Sequence, residues 1–598
     1  MSVDIGIQKD DPLKATHRFN ALFLRVCLML NLTEQHFMIA LAMVVGVGGG
    51  LSSILFHEFL ELTQEVFFSQ ARGWIGSTFL LPLLPALGGL LAGLLAVFYA
   101  PEVRGAGVSE VIRAIVTRRG VIRPRVMWAK ALASGITLGS GGSGGSEGPI
   151  VQIGAALGSG VGQIFKLSES NLKTLIACGA SAGIAAIFNA PIAGVMFALE
   201  VILGDFAISA FAPVVLAAVL SAVVVHTYWG DFAVFTVPDY RFVDGSELGW
   251  YLVLAALAGI VGVIFIRTLY GVDHFFEHRL TGVPAWGRPV LGGVLVGGIG
   301  LVFPEVMGVG YRTIGEALHG DLLLQTALVF LLFKIITTSL TLGSGGSGGF
   351  FAPSLFIGAA LGEAFGLFAQ SYLPGVVSPP GVFALVGMGA FVAGTTHAPL
   401  TATLIIFEMT GSYHIILPLM FTTILAVVVA RSIERESIYS LKLARQGVRL
   451  HHGRDLSVLE QIPVSKIMRT DYDFVREHTP LGEMVSLIQH GSIHDFPVLD
   501  HSGRFMGMIW FRDIREVMLE NDMYALLIAE DVLGDPPPQL LPSSSLAEVL
   551  IQFTTHDADA LPVFRAPSDT HLVGLITRAD LMRCYEQELM LREREAVS

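Results

Sequence analysis

The sequence predicts an all-α, polytopic membrane domain followed by a cytoplasmic α/β tail, on three observations. Hydrophobic residues make up 53 % of the 598-residue chain and charged ones only 15 %, which places most of it in lipid. A Gly/Ser-rich stretch closed by a proline occurs twice, 204 residues apart, inside hydrophobic sequence. Past residue 447 the composition turns soluble and a second, unrelated duplication begins.

The first duplication points to function. Thr137–Gly158 reads TLGSGGSGGSEGPIVQIGAALG and Thr341–Gly362 reads TLGSGGSGGFFAPSLFIGAALG. In each copy an apolar segment runs into glycine, which permits close backbone approach, and then reaches Pro149 or Pro353. Proline suits the first turn of a helix, where its missing N–H costs nothing. Each copy therefore predicts a helix N-terminus, with free N–H groups, inside the membrane. Interrupted hydrophobic segments at matching positions of two halves mark a transport site near the bilayer midplane.

Helix starts attract anions. Dehydrating an ion costs on the order of 20 kcal/mol in the idealised limit, whereas one helix end supplies at most about 2 kcal/mol. Two converging ends, with several charge-assisted hydrogen bonds of about 1.5–3 kcal/mol each and residual water, approach balance. The ion is then held loosely enough to leave, as conduction requires. The plainer alternative is that the small residues only let membrane helices pack closely; it weakens when the run recurs with its proline in the same place.

Along the chain, a polar arm comes first, without the apolar core and cleavage site of a signal peptide. Phe37–Phe56 and Phe79–Tyr99 read as spanning helices. Arg104, Arg113, Arg118, Arg119, Arg123, Arg125 and Lys130 then read as a cytoplasmic loop by the positive-inside rule. Lys9, Lys14, Arg18 and Arg25 before the membrane region, and Arg431, Arg435, Lys442 and Arg445 at its end, fall on the same side. Both ends are thus expected in the cytoplasm, with an even number of crossings.

Between Ala131 and Ala430 several apolar segments are too short to cross a bilayer of about 30 Å at about 1.5 Å per residue, so they must meet one another inside it. A further correspondence supports duplication: FNAPIAGVMFALE (Phe188–Glu200) matches THAPLTATLIIFE (Thr396–Glu408), with Pro191 against Pro399 and Glu200 against Glu408.

In the tail, Ile462–Asp513 and Ala529–Asp580 are similar to each other, each predicting a helix, two short strands and a helix; DPPPQLLPSSS (Asp535–Ser545) is a stiff connector. The net charge of -13 offers no basic face to nucleic acid. Cys27, Cys178 and Cys584 are too scattered for a zinc, redox or disulfide motif. No hydrolytic triad, Walker loop or metal cluster stands out, so no enzymatic turnover and no metal are expected.

Four signatures, GAGVSE (Gly105–Glu110), GSEGP (Gly145–Pro149), GFFAP (Gly349–Pro353) and Tyr439 in SIYSLKLAR, together resemble the CLC family of chloride channels and proton-coupled chloride exchangers carrying a C-terminal pair of cystathionine-β-synthase (CBS) domains. The resemblance implies a cytoplasmic arm at residues 1–30, a transmembrane domain at 31–446 made of two inverted repeats (about 31–235 and 248–440), a linker at 447–461, CBS domains at 462–520 and 526–588, and a tail at 589–598. It further implies roughly 18 membrane helices and a homodimer with one anion pathway per subunit. By position Glu147 would be the gate, the backbone of Gly148, Phe350 and Phe351 would face the ion together with Ala106 and Gly107, and Tyr439 would offer its hydroxyl from inside.

The residues support the gate independently. A carboxylate beside an anion-attracting helix start occupies that place itself when ionised and withdraws when protonated. Its alternative role, an acid that merely steadies its own helix, is worth about 0.3–1 kcal/mol, and an ionisable residue in membrane sequence is functional by default. For Tyr439 the alternative is an interfacial anchor.

Two departures from the family pattern matter. Ala106 stands where most members have a serine, and Ser109 where proline is usual, so one hydroxyl donor to the inner ion is missing and the preferred anion is left open; the methionine of fluoride-selective members is absent too. Val201 occupies the internal proton-site position, where many exchangers have glutamate, and valine there is more typical of channels. The expectation is therefore a voltage- or pH-gated chloride channel, with a proton-coupled exchanger as the alternative and a non-transporting nucleotide sensor as a lesser one. Chloride is the substrate and no cofactor is required. In the tail, Thr577 and Asp580 of GLITRAD keep the ribose-binding pattern and are the expected site for ATP, ADP or AMP, while the first copy keeps Asp513 but has Trp510 in the threonine position. A purely structural tail is the alternative.

Overall fold

The computed structural model describes residues 34–70, 82–230, 233–238, 247–372 and 378–446 of the membrane region, and 459, 462–490, 495–511, 527–534, 537–556, 558–566, 569 and 571–595 of the tail. The chain divides into two compact units, residues 1–451 and 452–598.

Among the described residues, the first eight helices of the membrane unit are α1 (Glu34–Gln64), α2 (Leu83–Phe98), α3 (Val108–Thr117), α4 (Arg125–Gly139), α5 (Glu147–Ile164), α6 (Glu169–Phe188), α7 (Pro191–Phe197) and α8 (Ile208–Trp229). The next eight repeat them: α9 (Leu248–His274), α10 (Arg288–Gly300), α11 (Tyr311–His319), α12 (Leu324–Gly343), α13 (Phe351–Tyr372), α14 (Pro380–Thr396), α15 (Pro399–Thr410) and α16 (Ile416–Ile433). A short α17 (Leu441–Arg445) follows. Seven of the described helices are long and apolar enough to cross a membrane, and several others are shorter apolar pieces. The duplicated prolines lie in the first turn of α5 and α13.

The halves interlock by contacts that occur twice with the partners exchanged. Gly145 N–H donates to the Gly349 carbonyl at 2.7 Å and Gly349 N–H to that of Gly145 at 2.6 Å, so the two Gly/Ser loops run antiparallel. Ser143 N–H donates to Thr341 Oγ1 at 3.0 Å, and Ser347 N–H to Thr137 Oγ1 at 3.4 Å. The Glu200 carboxylate accepts from Thr401 N–H at 2.7 Å at the start of α15, while Glu408 accepts from Ala193 N–H at 2.7 Å at the start of α7. The matching glutamates of the sequence thus cap each other's half. Such reciprocity is what a two-fold relation between repeats requires.

Lys130 is not in a loop, contrary to the charge pattern. It lies fully buried in α4, its ammonium donating to the carbonyls of Val103 at 3.0 Å and Gly105 at 2.8 Å; Lys334 in α12 does the same for Val306 at 3.1 Å and Gly308 at 2.9 Å. A charge can stay inside because it satisfies carbonyls that have no helical partner. Glycine is needed where helices touch backbone to backbone: a Cβ on Gly179 would come within 1.9 Å of the Gly154 carbonyl oxygen, where α5 and α6 pack. The close-packing role of small residues and the exposed helix starts therefore coexist.

In the tail, β1 (Val475–Arg476), α18 (Leu481–His490), β2 (Phe496–Leu499) and β3 (Phe505–Ile509) make the first copy; β1 pairs parallel to β2, and β2 antiparallel to β3. The second copy has α19 (Leu546–His556), an antiparallel pair of β4 (Ala560–Phe564) and β5 (Leu572–Thr577), and α20 (Arg578–Glu595). Asp495 ties the copies together, accepting from the N–H groups of Phe511 at 2.9 Å and Asp559 at 2.7 Å. Burial pushes its carboxyl above the usual aspartate range despite these bonds. Trp510 is buried in the tail core; Asp513 lies outside the described residues.

Candidate anion site and its gate

The site forms where the two proline-bearing helices begin. Glu147 is the first residue of α5 and 1 % exposed. Its carboxylate meets its own backbone N–H and also reaches across to the other half. Oε2 accepts from the N–H of Ala352, the second residue of α13, at 3.4 Å, and Oε1 from the Tyr311 hydroxyl at 2.9 Å. A carboxyl side chain from one half thus reaches an N–H in the first turn of the other half's helix, where a helix start attracts anions. Lys334 of α12 lies near the carboxylate.

Glu147 lines a cavity of about 10 Å³, the room of about one water molecule, together with Ala106, Gly148, Phe350, Phe351 and Tyr439 among others. Two glycines let the loops come this close. Gly107, at φ +87°, caps the start of α3, and a Cβ on it would lie 2.6 Å from the Gly148 carbonyl oxygen; one on Gly148 would lie 2.1 Å from that of Ala106. Tyr439 is 3 % exposed, its ring 5.0 Å from Phe350 and 6.3 Å from Phe197 between centroids. Ala106 and Phe350 also line a second cavity of about 310 Å³, with Arg104, Ser109, Arg288 and Lys442 on its walls. The two cavities share Ala106 and Phe350, and the walls of the larger one also carry Glu102, Glu110, Asp273 and Glu277.

The structure brings Ala106, Gly107, Glu147, Gly148, Phe350, Phe351 and Tyr439 together. Val201 is elsewhere, in a π-helical turn (Ala198–Leu203) where it packs against the core while its neighbour Glu200 caps α15. Sequence reasoning missed Tyr311, Ala352 and Lys334. A signal for Tyr311 was present: PEVMGVG (Pro304–Gly310) matches PEVRGAG (Pro101–Gly107), which makes Tyr311 the counterpart of Val108.

In the tail, Thr577 and Asp580 do meet, the threonine hydroxyl donating to Asp580 Oδ2 at 2.7 Å. The same carboxylate is already gripped by Arg469, through Nε at 2.5 Å and Nη2 at 2.9 Å. The Arg469 guanidinium holds the Asp580 carboxyl below its ordinary value.

The profile of the family "Voltage gated chloride channel" matches residues 88–431, and that of the CBS domain matches 464–520 and 529–587. The chain is 37 % identical over 417 residues to the "Putative chloride channel protein ClcB-like" of Ralstonia nicotianae, covering 68 % of this chain and 97 % of that one. It is 36 % identical over 418 residues to the "H(+)/Cl(-) exchange transporter ClcA" of Vibrio cholerae, covering 68 % of this chain and 88 % of the relative. Among solved structures, "a slow cyanobacterial Cl-/H+ antiporter" superposes with a TM-score of 0.63 at 28 % identity, over 69 % of this chain and 98 % of that one. With more than half its length matched, with relatives covered almost end to end, and with two helix starts facing one acid, this chain belongs to the CLC family of anion transport proteins and carries a C-terminal CBS pair.

Proposed function

We propose that the protein exchanges chloride for protons, with Glu147 as both the gate and the proton carrier. The observation that carries this reading is the Glu147 carboxylate seated on the Ala352 N–H at the cavity it lines. Ionised, it competes with chloride for that place. Protonated, it loses most of its attraction to the helix start and frees the position for the anion. One group that must take up a proton in order to yield to chloride couples the two ions without further machinery. The Vibrio relative bears the name of an exchanger and the cyanobacterial neighbour that of an antiporter, which favours exchange over the channel expected from the sequence.

The channel reading rested on Val201, and that residue still excludes a carboxyl proton donor at its own position. In the proposed exchanger, protons travel from the inner side through water in the larger cavity to Glu147. The functional unit is a homodimer, each subunit with its own pathway and both ends of the chain in the cytoplasm. Adenine nucleotide at the tail would have to displace Arg469, because the ribose hydroxyls and the guanidinium compete for the same Asp580 oxygens.

The test is the reversal potential of the reconstituted protein in liposomes under opposed chloride and proton gradients. Exchange moves that potential away from the chloride equilibrium value when pH alone is changed. A potential that follows chloride and ignores pH removes coupling and restores the channel.

A further inference from the structure

The first copy of the tail holds a cluster that the transport reading does not use. One ligand atom each from Glu477, His478 and His501 lie within 4.8 Å of one another, and Glu477 Oε1 is 3.4 Å from His501 Nδ1 and 3.9 Å from His478 Nε2. Zinc ligands at bonds of about 2.0–2.1 Å in a tetrahedron stand about 3.3 Å apart. The three donors are thus within a small side-chain rotation of metal-ligand spacing, and two imidazoles with one carboxylate are a donor set that suits zinc-class ions.

The backbone beneath is fixed. Glu477 N–H donates to the Leu499 carbonyl at 3.2 Å, and the Glu477 carbonyl accepts from Glu530 N–H at 3.0 Å. His501 sits in the turn between β2 and β3, which Asp500 Oδ1 closes by accepting from Ser502 N–H at 2.8 Å and Arg504 N–H at 2.7 Å. Glu477 is mostly enclosed, its side chain 17 % exposed, while the two histidines face solvent at 62 % and 70 %. That geometry offers an enclosed carboxylate with two exposed rings beside it, and an open side for water as the fourth ligand.

The second copy serves as an internal control. The same turn recurs there, with Leu541 N–H donating to Ser544 Oγ as Arg476 N–H does to Thr479 Oγ1. At a constant offset of 65 residues, Glu477, His478 and His501 correspond to Pro542, Ser543 and Ala566. The fold therefore does not need a glutamate or two histidines at these positions. We propose that Glu477, His478 and His501 form a binding site for a zinc-class divalent ion, which pins the β2–β3 turn to the entry of α18. The sequence alone concealed it, because the third ligand lies more than twenty residues from the first two.

The test is titration of the purified full-length protein with Zn²⁺ alone against a chromophoric chelator, and with Co²⁺ as a spectroscopic probe. The expected result is one Zn²⁺ per chain at micromolar affinity, an intense visible Co²⁺ spectrum, and loss of both in the double variant His478→Ser, His501→Ala. That variant carries the residues the second copy already tolerates, and a Glu477→Gln variant, similar in shape, is expected to bind at least tenfold more weakly. No Zn²⁺ bound by the wild type, or unchanged binding by the double variant, overturns the site. Chloride flux is not part of the readout, so its success or failure is independent of the exchanger reading.

Discussion

The two Gly/Ser loops share a scaffold and differ at their tips. Both begin a helix with a proline in its first turn, both place a buried lysine on two carbonyls, and both pair their glycines with the other loop. At the tip, however, Ser146, Glu147 and Gly148 in one half face Phe350, Phe351 and Ala352 in the other. The shared part builds a place for an anion where two helix starts meet. The unshared part decides who occupies it: one half supplies the acid that plugs the site, the other the N–H that receives the plug. The neighbouring loops divide labour likewise, Val108 beginning α3 in one half and Tyr311, whose hydroxyl reaches the gate, beginning α11 in the other.

The comparison breaks most completely at Glu147. Glu147→Gln removes the charge that distinguishes the first tip, and chloride flux at neutral pH is expected to rise about 10- to 100-fold, because hydrogen bonds to a charged group carry about 1.5–3 kcal/mol. Proton transport should disappear and flux should lose its pH dependence in liposomes with paired chloride and pH electrodes; a retained wild-type pH profile would deny Glu147 the gate. Next comes Gly148→Ala, which copies the second tip onto the first. Its Cβ would lie 2.1 Å from the Ala106 carbonyl oxygen, so a loss of about 1–3 kcal/mol in stability is expected, visible as a lower melting temperature in detergent. The reverse change, Ala352→Gly, should cost less, about 0.5–1 kcal/mol.

Tyr311→Phe sharpens the same contrast with a smaller effect. Losing one bond to the carboxylate should raise flux at neutral pH about tenfold at most, and should add nothing in a Glu147→Gln background, where the plug is already gone. An equal effect in both backgrounds would mean that the hydroxyl acts on the fold instead. The smallest effect lies in the tail. Asp580 titrates below its ordinary value in the folded state because Arg469 donates to it, so its contribution to stability is complete above the unfolded aspartate range and is lost as pH falls through its lower folded value. The gap in thermal stability between wild type and Asp580→Asn should therefore close on acidification; a constant gap would show that the ion pair is not its source.

Local patterns were legible in the sequence and partners across the halves were not. The helix starts at Glu147 and Phe351 follow from glycine before and proline just after, which is chemistry within a few residues. Pro191 and Pro399, with Glu200 and Glu408, were readable as matching positions of the two halves, but nothing local told that the glutamates cap the opposite half. Lys130 reads as a loop charge because its carbonyl partners, Val103 and Gly105, come from a turn more than twenty residues away. Tyr311 reaches Glu147 across 164 residues, and Arg469 reaches Asp580 across 111. In the last case the Thr577–Asp580 spacing was readable while the group that already holds Asp580 was not, which is why a ribose pattern alone overstated how open that position is.

The most direct measurement is chloride binding by calorimetry at neutral pH, wild type against Glu147→Gln. If the carboxylate and chloride contest one seat on the start of α13, removing the charge must tighten chloride binding several-fold, with the wild type approaching the variant as pH falls. Equal affinities at every pH would contradict a shared seat and leave Glu147 as a cap with no competitor.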